Sequence, residues 1–366
     1  MKIFLDNIIF SLQHAGGISC VWANLIKQLL PMEGAELRFI EHKNAISNIE
    51  RRKLDLARRG HLYMMKNLNL SRMLPVRIDN YNSPFIFHSS YFRLCDNPKA
   101  VNITTVHDLI HEKGFYKGMR RSTNMYMKRR AIINSDHIIC VSRNTRNDLL
   151  HFYPEVDPQK VTVVHNGVSE MDYFPNADCK ISQLIPYSPH SFLLFIGKRE
   201  KYKNFDIAVN GAARCGMNLV VVGPALNQEE QELIAKTQCR CTHIGHIPVD
   251  SLNMLYNTAC ALAYPSSYEG FGLPVIEAQK AGCPVIALAN SSIPEIYGNY
   301  APLLMKEPLT DEFIKSIQLL QDSNLRNKVI QQGLRNANRF SWHKTAIETM
   351  KVYRKAIKYH NEKKRS

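Results

Sequence analysis

Short apolar runs alternate with longer segments of helical periodicity along most of the chain. The apolar runs are nearly continuous, which is the pattern of parallel strands buried on both faces of a sheet. The runs that we predict as strands cover residues 2–5, 37–40, 85–88, 101–106, 137–141, 161–165, 192–196, 219–222, 261–264 and 285–288. Between them, helical patterns cover segments such as 18–30, 119–134 and 273–281. This alternation predicts an α/β chain built on doubly wound parallel sheets.

A seam divides the predicted strands into two sets. Residues 168–191 are rich in Pro, Ser and Asp and have no strong period, and the next apolar run ends at Gly197. We therefore expect two Rossmann-like domains, residues 1–175 and 176–341, and a C-terminal helix and tail over residues 342–366 that could cross back to the first domain. Because ligands bind at the carboxyl ends of the strands in such sheets, we expect a site in the cleft between the domains.

The composition adds a preference for anionic partners. The chain has 366 residues, 45% of them hydrophobic and 22% charged, which is typical of a globular protein with room for two cores. Lys and Arg number 47 against 32 Asp and Glu, which gives a net charge of +15. This excess favours nucleic acid, an acidic lipid surface or a phosphorylated substrate, and composition alone does not choose among them.

The cysteines and the N-terminus narrow the expected compartment. Nine cysteines include no C-x-x-C, and the only close pair is Cys239 and Cys241, so we predict no zinc site. The first apolar run is interrupted by Asp6 and Asn7, which favours a strand over a signal peptide. No window of about 18 apolar residues is present, so we predict no membrane span and a cytoplasmic protein.

The strongest chemical signal is the string SSYEGFGLPVIEA, which follows the apolar run 261–264. Gly270 and Gly272 predict a tight turn, and Pro274 suits the first turn of a helix. The backbone N–H groups exposed at such a turn can bind an anion. Glu269 precedes the turn and Glu277 lies about two helical turns later, so the two carboxylates could hold two hydroxyl-bearing parts of one ligand.

Three other loops follow predicted strands. Gly197 opens the string GKREKYKN, whose cations could stabilise negative charge that develops on a diphosphate leaving group. His107, in TTVHDL, could exchange a hydrogen bond with a sugar hydroxyl. Gly16 and Gly17, in HAGGIS, would let the backbone approach a phosphate at a helix N-terminus. Each of these loops alone has an ordinary structural alternative, such as a solvated basic loop, a buried histidine or a simple turn.

Taken together, the four loops resemble glycosyltransferase family 4, a family of retaining enzymes with the GT-B fold. SSYEGFGLPVIEA resembles the E-x7-E motif of that family, and GKREKYKN resembles its G-x-R-x-x-x-K-N pattern. The resemblance covers essentially the whole chain. It is greatest for the bacterial mannosyltransferase-like branch that builds O-antigens, capsules and exopolysaccharides, of which the string GGIS is typical. The implied fold is GT-B, with two Rossmann-like domains facing across a cleft.

The resemblance also implies a role for each matching residue. The implied catalytic residues are His107, which meets the donor sugar, and Glu269, which supports the reacting centre. The implied donor-binding residues are Gly16, Gly17, Arg199, Lys203, Gly270, Phe271, Gly272, Leu273 and Glu277. Gly245 and Ile247 would line the nucleobase. Many members of the family place the Arg directly after the Gly, where this chain has Lys198, so Lys198 is an alternative to Arg199 as a diphosphate ligand.

The implied reaction is transfer of a hexose from a nucleotide sugar to a growing, lipid-linked, cell-surface glycan. Mannose from GDP-mannose is the expected donor, and a UDP-hexose such as UDP-glucose is the alternative. The chain has no D-x-D, P-loop or G-x-G-x-x-G, so we expect Arg199 and Lys203, without a metal or other cofactor, to neutralise the diphosphate. A non-catalytic protein that binds nucleotide sugars or RNA is the alternative of another class.

Two basic clusters in the first half predict a surface for a membrane. Residues 51–77 contain eight Lys or Arg and one acid, and residues 113–130 contain seven and no acid. Apolar residues interleaved with basic ones suit the surface of anionic lipid. No nucleic-acid module is recognisable, so we expect no nucleic-acid partner. We expect instead peripheral association with the inner face of the cell membrane, against the alternative of a solvated helix face.

Overall fold

Two parallel sheets form the frame of the molecule. The structure, a computed structural model, describes residues 1–56, 62–65, 68–116, 119–176 and 181–363. The chain divides into two compact units, one made of Met1–Gly167 with Trp342–Ser366 and the other of Val168–Ser341. The second unit therefore begins with the aperiodic segment 168–191. Every strand pairing within both sheets is parallel, which confirms the prediction of an α/β chain with doubly wound sheets.

The first unit holds a seven-stranded sheet. Its strands are β1 Lys2–Asp6, β2 Glu36–His42, β3 Leu62–Met65, β4 Phe85–Ser89, β5 Ala100–Val106, β6 His137–Cys140 and β7 Val161–Val163. Its helices are α1 Ile9–Leu12, α2 Gly17–Leu29, α3 Ile49–Arg52, α4 Leu68–Met73, α5 Met119–Asn134 and α6 Arg143–Phe152, together with the C-terminal helix Trp342–Lys363. The strand order β3-β2-β1-β4-β5-β6-β7 reverses between β1 and β4.

The second unit holds a six-stranded sheet with the same winding. Its strands are β8 Phe192–Ile196, β9 Asn218–Val222, β10 Cys241–Ile244, β11 Ala261–Tyr264, β12 Val285–Leu288 and β13 Leu304–Met305. Its helices are α7 Phe205–Arg214, α8 Gln228–Thr237, α9 Val249–Thr258, α10 Leu273–Lys280, α11 Ile293–Tyr297, α12 Thr310–Leu319 and α13 Ser323–Ala337; the C-terminal helix is α14. The order β10-β9-β8-β11-β12-β13 reverses between β8 and β11, so this is where a ligand site is expected in an open α/β sheet.

Each unit has its own apolar core. In the first, β1 packs with α2 and α14, and the amphipathic pattern of α14 directs Ala346, Met350 and Tyr353 into the interior. In the second, β8, β9, β11 and β12 pack with α7 and α12, and Phe313 lies fully buried among them. The apolar face of α14 is therefore part of the core of the N-terminal unit, although the helix is the last element of the chain.

The described chain contains strands that periodicity did not predict. β3 lies in the basic segment 51–77, which we interpreted as an amphipathic surface. β10 has the polar sequence CTHI and is only half-buried at a sheet edge, and β13 is two residues long. Short or polar edge strands lack the continuous apolar run on which the prediction depended. No helix in the described part of the chain has both the length and the apolar character to cross a bilayer.

Candidate functional site

The best-formed site in the second unit lies at the switch point of its sheet. β8 and β11 are neighbours there, and their loops carry the two strongest motifs, residues 197–204 and 265–272. The ammonium of Lys203 donates a hydrogen bond to the carboxylate of Glu269, which joins the two loops. Their side chains are 17% and 13% exposed, so the pair is sheltered but still open to solvent. The structure thus brings together two predicted residues that are far apart in the sequence.

Asn204 fastens the same two loops through its amide. It has φ 49°, in the left-handed region, which Asn tolerates better than most residues. Its side-chain N–H group lies 2.7 Å from the carbonyl oxygen of Pro265 and 2.8 Å from the hydroxyl of Ser267. In return, the N–H of Ser267 donates to the carbonyl oxygen of Tyr202 at 2.7 Å. These bonds fix the backbone on both sides of the Lys203–Glu269 pair.

Two serines after β12 support the turn that carries Glu269. The hydroxyl of Ser291 accepts the N–H of Glu269 at 2.8 Å. The hydroxyl of Ser292 lies 2.9 Å from the carbonyl oxygens of both Glu269 and Phe271. The turn ends at Gly272, whose φ of 102° strongly favours glycine, and α10 begins directly after it. A third loop therefore holds the backbone of the turn that carries Glu269.

Aromatic rings surround the ion pair. The hydroxyl of Tyr264 hydrogen-bonds Glu269, and burial together with that carboxylate raises the pKa of Tyr264 well above its usual range. The ammonium of Lys203 lies 5.4 Å from the ring centroid of Tyr264 and 5.3 Å from that of Tyr202. A cation near aromatic faces is stabilised electrostatically, so the two rings add to the attraction that holds the Lys203 ammonium at this position.

Glu277 occupies a more enclosed position on α10. Burial raises its pKa to about 7, although hydrogen bonds from Tyr256 and Tyr173 favour the ionised form and limit the rise. The hydroxyl of Tyr256 lies 3.1 Å from its carboxylate, and the two tyrosine rings meet edge to face with their centroids 5.8 Å apart. Glu277 can therefore accept hydroxyl protons when ionised, and its charge changes near neutral pH.

The rest of the predicted donor loop has mixed surroundings. Gly270 and Gly272 are buried, Leu273 is half-buried at the start of α10, and Phe271 packs edge to face on Phe340 with centroids 5.9 Å apart. Gly245 and Ile247 follow β10, where Gly245 is exposed and Ile247 half-buried. These positions put the predicted nucleobase loop on the carboxyl edge of the same sheet.

Arg199 differs from Lys203 in its surroundings. Its side chain is only 3% exposed, and its Nε lies 2.9 Å from a carboxylate oxygen of Glu230. Its other nitrogens donate to the carbonyl oxygens of Gly197, Pro224 and Ala225, at 3.3, 2.8 and 2.8 Å. Lys198, next to it in the chain, is exposed.

The remaining predicted residues belong to the first unit. Gly16 caps the N-terminus of α2, where its carbonyl oxygen accepts the hydroxyl of Ser19 at 2.9 Å, and Gly17 begins the helix. His107 follows β5, and burial lowers its pKa to about 4, so its ring is neutral at pH 7 and offers one donor and one acceptor. Gly16 and His107 both follow strands at the carboxyl edge of one parallel sheet.

A buried lysine holds the loop that contains His107 and Asp108, although we assigned this lysine from the sequence to a surface that faces lipid. Lys128, on α5, has a side chain 2% exposed and donates to the backbone oxygen of Asp108 at 3.1 Å and to Glu112 at 2.9 Å. Arg51 is likewise buried against Glu41. Both belong to the basic clusters that we predicted to face lipid, and their burial corrects that interpretation for these two residues. Residues 57–61, 66–67 and 117–118 of those clusters lie outside the described part of the chain.

Several supporting residues carry no motif of their own. Tyr256 and Tyr173 lie 21 and about 100 residues from Glu277 in the chain, and Ser291 follows a strand without any recognisable string. The one available signal was position, because Ser291 and Ser292 follow the carboxyl end of a predicted strand. Pairing of distant tyrosines with a buried acid has no local signature.

Comparison with known proteins finds a glycosyltransferase family model that matches each unit. The model of "Glycosyltransferase Family 4" matches residues 16–170, and that of "Glycosyl transferases group 1" matches residues 180–336. Among curated proteins, "O-antigen chain mannosyltransferase B" of Escherichia coli is 26% identical over 74% of each chain. An uncharacterized glycosyltransferase of Methanocaldococcus jannaschii is also 26% identical and covers 96% of this chain and 98% of its own.

Solved structures share the architecture. A sucrose-phosphate synthase from Thermosynechococcus elongatus superposes with a TM-score of 0.76 and 18% identity, covering 97% of this chain and 98% of its own. Anabaena HepE in complex with UDP and glucose gives a TM-score of 0.73 and 14% identity, covering 96% and 99%. These likenesses show the fold, which is GT-B as predicted.

Proposed function

Because the chain belongs to glycosyltransferase family 4 and is a hexosyltransferase, we propose that it transfers mannose from GDP-mannose to a hydroxyl of a growing, lipid-linked, cell-surface glycan. The observation that carries the proposal is the sheltered Lys203–Glu269 pair at the switch point of the second sheet. A cation for the diphosphate and a carboxylate for sugar hydroxyls lie side by side there. The diphosphate and the hexose are directly bonded in a nucleotide sugar, so an adjacent cation and carboxylate suit these two groups.

Lys203 is proposed to bind the diphosphate. When the glycosidic bond breaks, negative charge develops on the leaving phosphate, and a fixed ammonium in a partly desolvated site stabilises it. In the resting molecule, Lys203 is paired with Glu269, so a bound diphosphate shares or takes over this cation. Glu269 is then available to accept hydrogen bonds from hydroxyls of the hexose near the reacting carbon.

Two further residues complete the proposed donor contacts. Glu277, in its ionised form, accepts hydrogen bonds from the ribose hydroxyls. His107, a neutral imidazole, exchanges a hydrogen bond with a hydroxyl of the donor sugar. The proposed transition state has oxocarbenium character. We propose retention of the anomeric configuration by same-face attack, in which the departing phosphate accepts the proton of the incoming hydroxyl.

A UDP-hexose is the second candidate donor. Mannose is supported by relatives named as O-antigen mannosyltransferases, including RfbU of Salmonella typhimurium at 24% identity. UDP-glucose is supported by the structural likeness to HepE, which was solved with UDP-glucose. The sheltered cation serves both donors equally, since both carry a diphosphate.

A ligand panel and a transfer assay test the proposal together. Thermal unfolding is followed with GDP-mannose, UDP-glucose and a dTDP-sugar, because a ligand bound only by the native state raises the melting temperature. We expect GDP-mannose to stabilise most and to be consumed in the presence of a lipid-linked glycan acceptor. Stabilisation by RNA alone, with no response to any nucleotide sugar, would overturn the proposal in favour of a binding protein.

Site variants with matched controls make the assay specific. Glu269→Ala and Lys203→Ala are expected to abolish transfer while the fold persists. Glu229→Ala and Lys236→Ala change the same residue types at exposed positions on α8 and are expected to leave transfer unchanged. We also propose that no metal takes part, so EDTA should not reduce the rate; a loss restored by Mg²⁺ or Mn²⁺ would contradict this part.

We further propose that the first unit binds an anionic membrane through α4, the residue that follows it, Leu74, and α5. Exposed apolar side chains there include Met73, Leu74 and Tyr126, which are 49%, 48% and 61% exposed. Arg130 of α5 donates to the carbonyl oxygen of Met73 at 2.5 Å, so a cation lies beside them. Vesicles with anionic lipid should sediment the protein, and Leu74→Ser with Tyr126→Ser should reduce this binding; equal binding to neutral vesicles would argue against it.

A further inference from the structure

Arg199 and Lys198 are neighbours with opposite surroundings, and the motif alone does not decide which of them meets the donor. We propose that Arg199 is a positioning residue that fastens the loop 197–204 to the loop after β9, and that Lys198 supplies the second cation for the diphosphate. This inference rests on the proposed function, because it concerns the same donor site.

The contacts of Arg199 leave its guanidinium committed. Three backbone carbonyl oxygens, those of Gly197, Pro224 and Ala225, accept its N–H groups, and the Glu230 carboxylate lies 2.9 Å from its Nε. The charge of the guanidinium is thus balanced inside the protein, and its side chain is 3% exposed. A diphosphate would have to displace these four partners and would leave the Glu230 carboxylate, which is 11% exposed, without its cation.

The loops that Arg199 joins are packed closely. Gly223 has φ 143°, and a Cβ atom placed there would lie 2.7 Å from the carbonyl oxygen of Gly197. His243, at the end of β10, places its Nε2 3.0 Å from the Gly223 oxygen and 2.9 Å from the Pro224 oxygen. Arg199 and His243 therefore both hydrogen-bond the backbone oxygens of the turn after β9. This arrangement ties the loop 197–204 to the strand that leads into the loop 245–248.

Glu230 has two functions in this arrangement. It forms a capping box at the start of α8, where its carboxylate accepts the N–H of Asn227 at 2.9 Å and the Asn227 side chain accepts the N–H of Glu230 at 2.9 Å. The same carboxylate pairs with Arg199. Because Gln also serves in a capping box, Glu230→Gln removes the charge pair and keeps the cap.

Lys198 has the properties that Arg199 lacks. It is exposed and makes no ion pair with any residue in the described ranges. It follows Gly197 directly, at the carboxyl end of β8, and Lys203 lies in the same loop. A flexible ammonium can approach a phosphate without breaking an existing contact.

The test separates phosphate contact from loop positioning. Dissociation constants are measured for GDP and guanosine, with UDP and uridine as a parallel pair. The dissociation constant of the nucleoside divided by that of its nucleotide reports how much the phosphates contribute to binding. Lys198→Met should lower this ratio by about tenfold and leave the melting temperature unchanged. Arg199→Met should weaken nucleotide and nucleoside by similar factors and lower the melting temperature. Glu230→Gln should act in the same direction as Arg199→Met, with a smaller effect.

The outcomes distinguish the inference from the proposal beneath it. If Arg199 bound the diphosphate directly, Arg199→Met would lower the guanosine-to-GDP ratio of dissociation constants and Lys198→Met would not. Glu230→Gln would then tighten GDP binding by removing a competing carboxylate. That pattern would overturn the inference and leave the proposed function standing. A wild-type protein that binds neither GDP nor UDP would overturn the proposed function, and the inference with it.

Discussion

The strands of the two sheets follow the same order, and each sheet has a salt bridge at its switch point. The two salt bridges are buried to different extents. In the first unit, Asp6 ends β1 and its carboxylate lies 3.1 Å from the guanidinium of Arg93, with side-chain exposures of 1% and 0%. In the second, Lys203 and Glu269 remain 17% and 13% exposed. One topology therefore produces a closed structural pair in one unit and an open, ligand-accessible pair in the other.

The closed pair is further sealed by Ser89, at the end of β4. Its hydroxyl donates to Asp6 at 2.8 Å, while burial raises the pKa of Asp6 despite the opposing effect of Arg93. A buried pair of this kind contributes most when it is broken, because one partner is then left charged or unsatisfied in the interior. The open pair can exchange partners with a ligand, since both groups still reach solvent. The extent of burial, and not the topology of the sheet, therefore distinguishes the structural Asp6–Arg93 pair from the Lys203–Glu269 pair of the candidate site.

The largest expected effect comes from breaking the closed pair. Arg93→Met should lower the free energy of unfolding by about 3–5 kcal/mol, because the Asp6 carboxyl loses its buried partner. Chemical denaturation measures this. Arg77→Met is the control, since Arg77 is 83% exposed in its pair with Asp96 and should change stability by less than about 0.5 kcal/mol. Equal losses of the free energy of unfolding in the two variants would contradict a special role for the buried pair.

Breaking the open pair should affect the reaction more than the fold. Lys203→Met is expected to slow transfer at least about a hundredfold, as loss of a cation aimed at developing charge does. The melting temperature should stay near that of the wild type because the pair is partly solvated. A variant that unfolds like Arg93→Met, or that transfers at the wild-type rate, would contradict the assignment of an open functional pair.

Glu277 sharpens the comparison because its charge changes near neutral pH. Its pKa is raised by burial to about 7, so the ionised form that accepts ribose hydroxyls is lost as pH falls. Nucleotide affinity should fall by about tenfold from pH 8 to pH 6. Glu277→Gln should flatten this dependence, and an unchanged pH profile in that variant would assign the titration to another group.

The raised pKa of Glu277 also sets the direction in which the free energy of unfolding changes with pH. Its pKa is higher in the folded chain than the ordinary value of 4.5, so its contribution to the free energy of unfolding is greatest below pH 4.5 and is lost as pH rises through about 7. Comparison of the wild type with Glu277→Gln by denaturation at pH 5 and pH 8 isolates this contribution. A difference of the opposite sign would mean that the ionised carboxylate is the stabilised form.

The smallest expected effect concerns the interior of the first unit. The hydroxyl of Tyr353, on α14, lies 2.7 Å from Nδ1 of His88, and burial lowers the pKa of His88 to about 3, so its ring stays neutral. Tyr353→Phe leaves that nitrogen without its partner and should lower the free energy of unfolding by about 1 kcal/mol. Tyr126→Phe, at an exposed ring, is the matched control. Equal changes in the free energy of unfolding would mean that the hydrogen bond between Tyr353 and His88 does not stabilise the fold.

The sequence predicted those features of the fold and the site that depend on neighbouring residues in the chain. The apolar runs of β8 and β11 and the loops after them are visible in the sequence, since buried parallel strands and glycine turns have short-range signatures. Tyr173 and Tyr256 beside Glu277, Ser291 beneath Glu269 and Glu230 beside Arg199 depend on long-range packing, which no string reports. The burial of Lys128 and Arg51 was missed for the same reason, because charge counts do not reveal ion pairs.

We propose that the open Lys203–Glu269 pair, at the ends of β8 and β11, binds the phosphates of a nucleotide donor. A crystal structure of the protein with GDP, or with UDP if that nucleotide binds more tightly, tests it most directly. We expect a phosphate oxygen within hydrogen-bonding distance of the Lys203 ammonium, with the Lys203–Glu269 contact lengthened or broken. A diphosphate bound away from the carboxyl edge of the second sheet, with that contact intact, would contradict it.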